Sequence, residues 1–157
     1  MTKTMTNQKW DTMTRQGGIT SYYLNDKLVQ VIVPAFDEIE AIKATMINRG
    51  DIEEVRDYTF RIFEIIMSKY IGKLVLIDYI GFNNFSYVDE RFQFIITDDK
   101  YLFGNYKVDS ETSMDINFLI DKWQVADILF NIDEIERTIT VLLIDDSEII
   151  IDLNEAD

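Results

Sequence analysis

The chain has 157 residues, the length of one ordinary domain, which is enough to bury a hydrophobic core. It contains no cysteine and no histidine, which excludes disulfides, thiolate nucleophiles, Cys-based zinc sites and histidine general bases. Its net charge of −14 argues against direct binding of nucleic acid, because that contact needs a basic surface.

The negative charge is concentrated in the last third of the chain. Residues 1–50 carry six basic and five acidic side chains, and residues 51–107 carry seven and ten. Residues 108–157 carry fourteen acidic side chains and only two basic ones, Lys122 and Arg137. A surface of one sign steers a partner of the opposite sign towards it, so this distribution indicates a basic protein as the partner.

The sequence carries no signal for a membrane or for export. No apolar run approaches the roughly 18 residues that a membrane-spanning helix requires. The first residues also lack the apolar stretch of a secretory signal. We therefore expect a soluble, cytoplasmic protein that contacts no membrane.

The N-terminal part predicts an arm followed by a β-hairpin. Residues 1–18 are polar, rich in threonine and without periodicity, which predicts a flexible arm ahead of a single α+β domain at 19–157. The composition then changes to β-branched and aromatic residues. Ile19–Leu24 and residues 27–33 predict two strands joined by the two-residue turn Asn25-Asp26.

Two helices are predicted next. Apolar residues recur at helical spacing between Pro34 and Gly50, with acidic residues in the first turns. A second helix is predicted to begin at Asp51, with Glu54 three residues later in the pattern of a capping box, and to end near Gly72. The short connection between them predicts a helical hairpin.

The rest of the chain predicts strands joined by short polar turns. The predicted strands are 74–80, 85–88, 91–97, 101–108, 114–120, 124–132, 137–144 and 148–153. Connections this short favour antiparallel pairing, since parallel strands need crossovers of about a dozen residues or more. The predicted fold is therefore α+β, with an N-terminal β-hairpin, a helical hairpin and a mainly antiparallel meandering sheet packed on the helices.

One carboxylate pattern resembles the site of a magnesium-dependent nuclease. Asp78 lies near the end of an apolar strand, and Asp98, Asp99 and Lys100 follow the strand after next. Two carboxylates can hold Mg²⁺ while a lysine activates the attacking water. The same residues also suit a hairpin turn, so the nuclease is an alternative rather than the first hypothesis. No phosphate-binding loop or EF-hand pattern occurs, and the sequence indicates no cofactor and no metal.

A second alternative is a small-molecule pocket inside a curved sheet. The aromatic candidates for its lining are Tyr22, Tyr23, Tyr58, Tyr79, Tyr101, Tyr106, Phe82, Phe85, Phe92, Phe94 and Phe103. Aromatic side chains also fill the cores of ordinary sheets, which weighs against the pocket.

The first hypothesis rests on the acidic C-terminal third. The candidate partner-binding residues are Asp121, Asp127, Asp133, Glu134, Glu136, Asp145, Asp146, Glu148 and Asp152. Carboxylates displayed on a rigid sheet imitate phosphate spacing or complement a basic groove. The alternative is that the acidity only keeps an isoleucine-rich protein soluble, but its excess and its concentration in one third of the chain favour a partner. The first hypothesis is therefore a non-enzymatic inhibitor of a basic, nucleic-acid-handling protein, such as a nuclease, a restriction or CRISPR effector, or a nuclease toxin.

Overall fold

The computed structural model describes residues 9–106, 114–132 and 137–153. Within these ranges the chain forms two α-helices and eleven β-strands in three antiparallel sheets, which confirms the predicted α+β class. The helices are α1 (Phe36–Asn48) and α2 (Ile52–Lys69). The strands are β1 (Thr12–Gln16), β2 (Ile19–Leu24), β3 (Lys27–Ile32), β4 (Val75–Ile80), β5 (Phe85–Asp89), β6 (Phe92–Ile96), β7 (Lys100–Tyr106), β8 (Met114–Asp121), β9 (Val125–Ile132), β10 (Arg137–Leu143) and β11 (Glu148–Asp152).

The strands are ordered β1-β2-β3 in the first sheet, β5-β4-β11-β10-β9 in the second and β6-β7-β8 in the third. The second sheet departs from a simple meander, because β4 pairs with the last strand of the chain. Strands β6 to β8 form their own sheet before the chain returns. Short turns predict antiparallel neighbours, but they carry no information about this long-range pairing.

The N-terminal prediction needs a correction. Thr12–Gln16 form β1 and pair with β2, so a flexible arm over residues 1–18 is wrong for this segment. Every side chain of β1 is exposed, and a strand with no buried face shows no hydrophobic periodicity. Trp10 packs near Tyr22, with ring centroids 4.9 Å apart. Residues 1–8 lie outside the described part of the chain.

The two N-terminal turns have the backbone of type I′ hairpins. Asn25 and Asp26 have φ values of 52° and 65°, which fits the predicted two-residue turn. Gly17 and Gly18 form the equivalent turn between β1 and β2, with φ values of 58° and 76°. Glycine is required at Gly18, because a Cβ there would lie 2.7 Å from Cγ of Pro34.

The core lies between the helices and the inner faces of the sheets. Phe63 of α2 makes edge-to-face contacts with Phe94 and Tyr101 of the third sheet, with centroids 5.8 and 5.3 Å apart. Ile62 and Met67, also on α2, are fully buried. Neither helix, among the described residues, has the length and apolar character needed to cross a membrane.

Helix α1 closes the outer edge of the second sheet. β9 is the edge strand, so the backbone groups of alternate residues point away from β10. Lys43 donates to the carbonyl oxygen of Ile128 at 2.6 Å. One turn earlier, Glu40 accepts the amide of Phe130 at 2.9 Å. The helix thereby supplies the donor and the acceptor that a further strand would have provided.

The Lys43 ammonium is almost completely buried, with 3% of the residue exposed. Its charge is balanced by Glu40 at 3.2 Å and by Asp127 at 3.3 Å. Helix α2 extends the edge closure, since Arg56 donates to the carbonyl oxygens of Val125 at 2.9 Å and of Lys122 at 3.1 Å. Both helices are therefore fixed to β9 through polar contacts as well as apolar packing.

The predicted capping box at the start of α2 is wrong. Asp51 precedes the helix, but its side chain makes no capping hydrogen bond and instead lies 3.3 Å from Nε of Arg49. A capping box occurs instead around the 3₁₀ turn Lys122–Gln124, between Asp121 and Gln124. A nearby cation thus redirects the Asp51 carboxylate that the pattern assigned to the helix.

We expect Lys43→Met to lower the free energy of unfolding by about 3 kcal/mol, because it leaves two carboxylates and a buried carbonyl without their shared donor. Urea unfolding followed by circular dichroism measures the loss. Lys9→Met, at an exposed lysine, is the matched control and should change stability by less than about 0.5 kcal/mol. Equal stabilities of the two variants would contradict the role given to Lys43.

Candidate functional site

The second sheet presents one face to the helices and the other away from them. We call the latter the outer face and define it by the alternate residues Asp127, Leu129, Asn131, Thr138, Thr140, Leu142, Glu148, Ile150, Asp152, Leu76, Asp78, Ile80, Ser86 and Val88. These side chains are half-buried or exposed, whereas their chain neighbours Ile77, Ile139 and Ile149 are buried.

The register of the strands places three carboxylates close together on the outer face. Asp78 of β4 lies opposite Ile150 of β11, which makes it the diagonal neighbour of Glu148 and Asp152. Diagonal neighbours in an antiparallel pair are about 7–8 Å apart. Glu148 and Asp152, four residues apart on one strand, are separated by about 13 Å. The three form a triangle of separate negative charges.

The chemistry of the outer face is acidic and apolar. Asp127 adds a fourth carboxylate at the β9 edge, and none of the side chains that define the face is basic. Val88 and Ile80 are exposed by 62% and 40%, and Ile150 lies half-buried among the carboxylates. Asp78 accepts a hydrogen bond from the Ser86 hydroxyl at 2.5 Å, which holds its carboxylate in place.

An acidic turn continues the outer face beyond Leu142 and Glu148. Asp145 and Asp146 connect β10 to β11, and both are exposed. The hydroxyl and then the amide of Ser147 donate to Asp145 and hold the pKa of its carboxyl below the ordinary value. Asp145 is therefore ionised at neutral pH.

Two of the predicted acids are engaged by cations within the fold. Asp121 lies 3.2 Å from the ammonium of Lys100, and Asp127 is engaged by Lys43. The structure thus places Asp127, Glu148 and Asp152 on the outer face, Asp145 and Asp146 at its end, and Asp121 at the start of the 3₁₀ turn. Asp133, Glu134 and Glu136 lie outside the described residues.

The residues of the nuclease pattern are not brought together. Asp78 belongs to the second sheet, whereas Asp98 and Lys100 lie at the turn between β6 and β7 of the third. Lys100 contacts Asp99 at 3.1 Å and Asp121 at 3.2 Å. In the ranges that the structure describes, no cluster of three or more acidic side chains could hold a metal ion.

The aromatic candidates divide into separate groups. Those in the core are Tyr58, Phe92, Phe94, Tyr101 and Phe103. Tyr79 and Phe85 stack with centroids 4.7 Å apart and, with Phe82, line an open cavity of about 350 Å³ next to Asp145. Tyr22 contacts Trp10, and Tyr58 donates to the Gly17 carbonyl at 2.9 Å. A single pocket lined by the whole set is not formed.

A buried carboxyl joins the second and third sheets. The predicted strands 85–88 and 91–97 leave this residue, Asp89, in a polar turn. Asp89 ends β5, is only 2% exposed, and accepts a hydrogen bond from Asn117 of β8. Its other carboxyl oxygen has no hydrogen-bond partner among the described residues. Burial raises the pKa of Asp89 to about 6, against the lowering effect of the Asn117 hydrogen bond.

Comparisons with models of protein families, with curated proteins and with solved structures found no match to this chain.

We expect Asp89→Asn to raise the free energy of unfolding at pH 7 by on the order of 2 kcal/mol, because it removes a charge that burial disfavours. The unfolded carboxyl has a pKa of 3.8, so between about pH 4 and about pH 6 only the folded state keeps the proton. The contribution of Asp89 to stability thus falls as pH rises through this window and is constant above it.

Urea unfolding at several pH values between 4 and 7 measures this effect, and Glu90→Gln, an exposed neighbour on the same turn, is the matched control. Between pH 4 and pH 6 the wild type and the control should change in stability alike, whereas the stability of Asp89→Asn relative to both should increase as the pH rises. A less stable Asp89→Asn protein at pH 7 would contradict the assignment.

Proposed function

We propose that this protein is a non-enzymatic antagonist that binds a basic, nucleic-acid-handling protein through the outer face. The observation that carries the proposal is the triangle of Asp78, Glu148 and Asp152 on a face without any basic side chain. Nucleic-acid-binding proteins present clusters of lysine and arginine that contact successive phosphates. A set of fixed carboxylates competes for those same clusters.

The spacing of the carboxylates supports recognition of several cations at once. At about 7–8 Å along the diagonals, each carboxylate has room for its own lysine or arginine. The strands hold the three side chains on a backbone that is already ordered, so little conformational entropy is lost when a partner binds. Flexible acidic tails lack this advantage.

The exposed apolar side chains of the outer face favour binding of a partner protein over a face whose acidic residues serve only solubility. Val88 and Ile80 are exposed and Ile150 is half-buried within the acidic triangle. When a partner covers them, apolar burial contributes to affinity and the loss of water strengthens the adjacent ion pairs. A face that served only solubility would gain nothing from exposed apolar side chains among its acids.

The proposal predicts that Asp78→Asn, Glu148→Gln and Asp152→Asn together will weaken capture of the partner. The immobilised full-length protein is incubated with lysate of its native host, and recovered proteins are identified by mass spectrometry. We expect one basic nucleic-acid-binding protein at about 0.05 M salt, bound about tenfold to a hundredfold more weakly by the triple variant. Near 1 M salt, where charges are screened beyond about 3 Å, wild-type capture should also fail.

The matched control removes three exposed carboxylates elsewhere: Asp57→Asn, Glu90→Gln and Asp98→Asn. It carries the same net charge as the outer-face variant and should capture the partner like the wild type. The captured protein should also lose binding to its nucleic acid when the wild type is added. Equal capture by the two triple variants, or a partner that keeps its nucleic acid, would refute the proposal.

A second candidate function is the binding of a small aromatic ligand, and the cavity of about 350 Å³ beside Tyr79 and Phe85 favours it. Its polar rim includes Asn83 and Gln124. A screen of aromatic compounds by thermal shift tests this function. A stabilising compound whose effect disappears in Phe85→Ala would support it, and the absence of any such compound would count against it.

A further inference from the structure

The molecule closes one sheet edge and leaves another open. At the β9 edge, side chains from α1 and α2 meet the outward backbone groups. β3 is an edge strand of the first sheet, and within the described chain no further strand pairs with it. Leu28 is 55% exposed and Val29 is 49% exposed, so this edge also displays apolar side chains. An open edge of this kind is a template for another strand.

A groove runs between the β3 edge and α2. It is open, has a volume of about 580 Å³ and is lined on one side by Leu28, Val29 and Val31 of β3, with Ser21 and Tyr23 of β2 beside them. Ile65 of α2 forms part of the other side, and Ile96 of β6 contributes as well. A segment that paired with the free edge of β3 would border this groove, and its alternate side chains would point towards α2.

The α2 side of the groove carries an unbalanced positive charge. Arg61, Ile65 and Lys69 follow one another at intervals of four residues, and all three line the groove. Neither Arg61 nor Lys69 has an ion-pair or hydrogen-bond partner in the described part of the chain. Burial lowers the pKa of Lys69, so its charge is partly desolvated.

The acidic residue between the two cations is already engaged. Glu64 also lines the groove, but it accepts a hydrogen bond from the Tyr101 hydroxyl at 2.6 Å and lies 3.8 Å from the ammonium of Lys122. Its negative charge is therefore directed towards the third sheet. The groove remains locally cationic in a protein whose net charge is −14.

We propose that this groove binds an extended acidic segment of another protein, which adds as a fourth strand to β3 and directs two carboxylates at Arg61 and Lys69. The distance between the two cations matches the distance between the two acidic residues of the segment. Arg61 and Lys69 are eight residues apart on α2, a rise of about 12 Å, and residues four apart on a strand are separated by about 13 Å. The fitting pattern is an acidic residue, any residue, an apolar residue, any residue and an acidic residue. The apolar side chain packs on Ile65.

The occupant that we favour is a different protein, since a second copy of this chain meets two obstacles. Each copy carries a net charge of −14, so long-range repulsion opposes self-association. Pairing β3 with β3 also leaves Arg61 and Lys69 of both copies without carboxylates. The groove is distinct from the outer face, so this inference does not rest on the proposed function.

The test uses the full-length protein and a fluorescein-labelled peptide, Ser-Glu-Thr-Val-Thr-Glu-Ser, in an anisotropy titration. The wild type should bind it, and Arg61→Ala with Lys69→Ala should weaken binding by about tenfold, as expected for two partly exposed ion pairs. Arg49→Ala with Lys73→Ala removes the same charge outside the groove and should bind like the wild type. The peptide with lysine in place of both glutamates should not compete.

Strand addition is separated from simple charge attraction by N-methylation of the peptide. One version is methylated at the glutamates and the valine, and the other at the intervening threonines, so each blocks the amides along one edge of the strand. We expect only one of the two to lose binding. Equal binding of both, loss of both, no effect of the groove variant, or a dimer that excludes the peptide in sedimentation equilibrium would overturn the proposal.

Discussion

The contact between the buried Lys43 ammonium and the free edge of β9 is the interaction on which the arrangement of the molecule depends. A buried charge is tolerated only when its partners replace water, and here the Ile128 carbonyl and the carboxylates of Glu40 and Asp127 do so. Because these groups come from a helix and a strand, they fix α1 against one side of the sheet. The other side is thereby left as the outer face.

The same ion pairs distinguish the acids that maintain the fold from those that the proposed partner would contact. Asp127 is partly used by Lys43 and Asp121 by Lys100, so both contribute less negative charge than the sequence suggests. Asp78 and Glu148 have no cation among the residues that define the outer face. Net charge alone predicts a basic partner, but only the strand register shows which carboxylates are grouped.

The sequence predicted the elements better than their connections. Alternation located nearly every strand, and Asn25-Asp26 identified a hairpin, because both signals are local. The sequence did not predict β1, because neither face of this strand is buried. It did not predict the pairing of β4 with β11 either, because pairing between strands far apart in the chain produces no local sequence pattern. Asp89 resembled a turn residue, and its burial depends on β8, which lies far away in the chain. The groove was missed for the same reason, since α2 and β3 meet only in the fold.

Edge closure explains why the two surfaces proposed for binding differ in the sign of their charge. Side chains from α1 and from the start of α2 lie at the β9 edge. There Lys43 and Arg56 donate hydrogen bonds to backbone carbonyl oxygens. Further along α2, Arg61 and Lys69 line the groove beside β3, and within the described ranges neither has an ion-pair or hydrogen-bond partner. One helix thus stabilises the fold at its start and presents a cationic groove over its second half, independently of the acidic outer face.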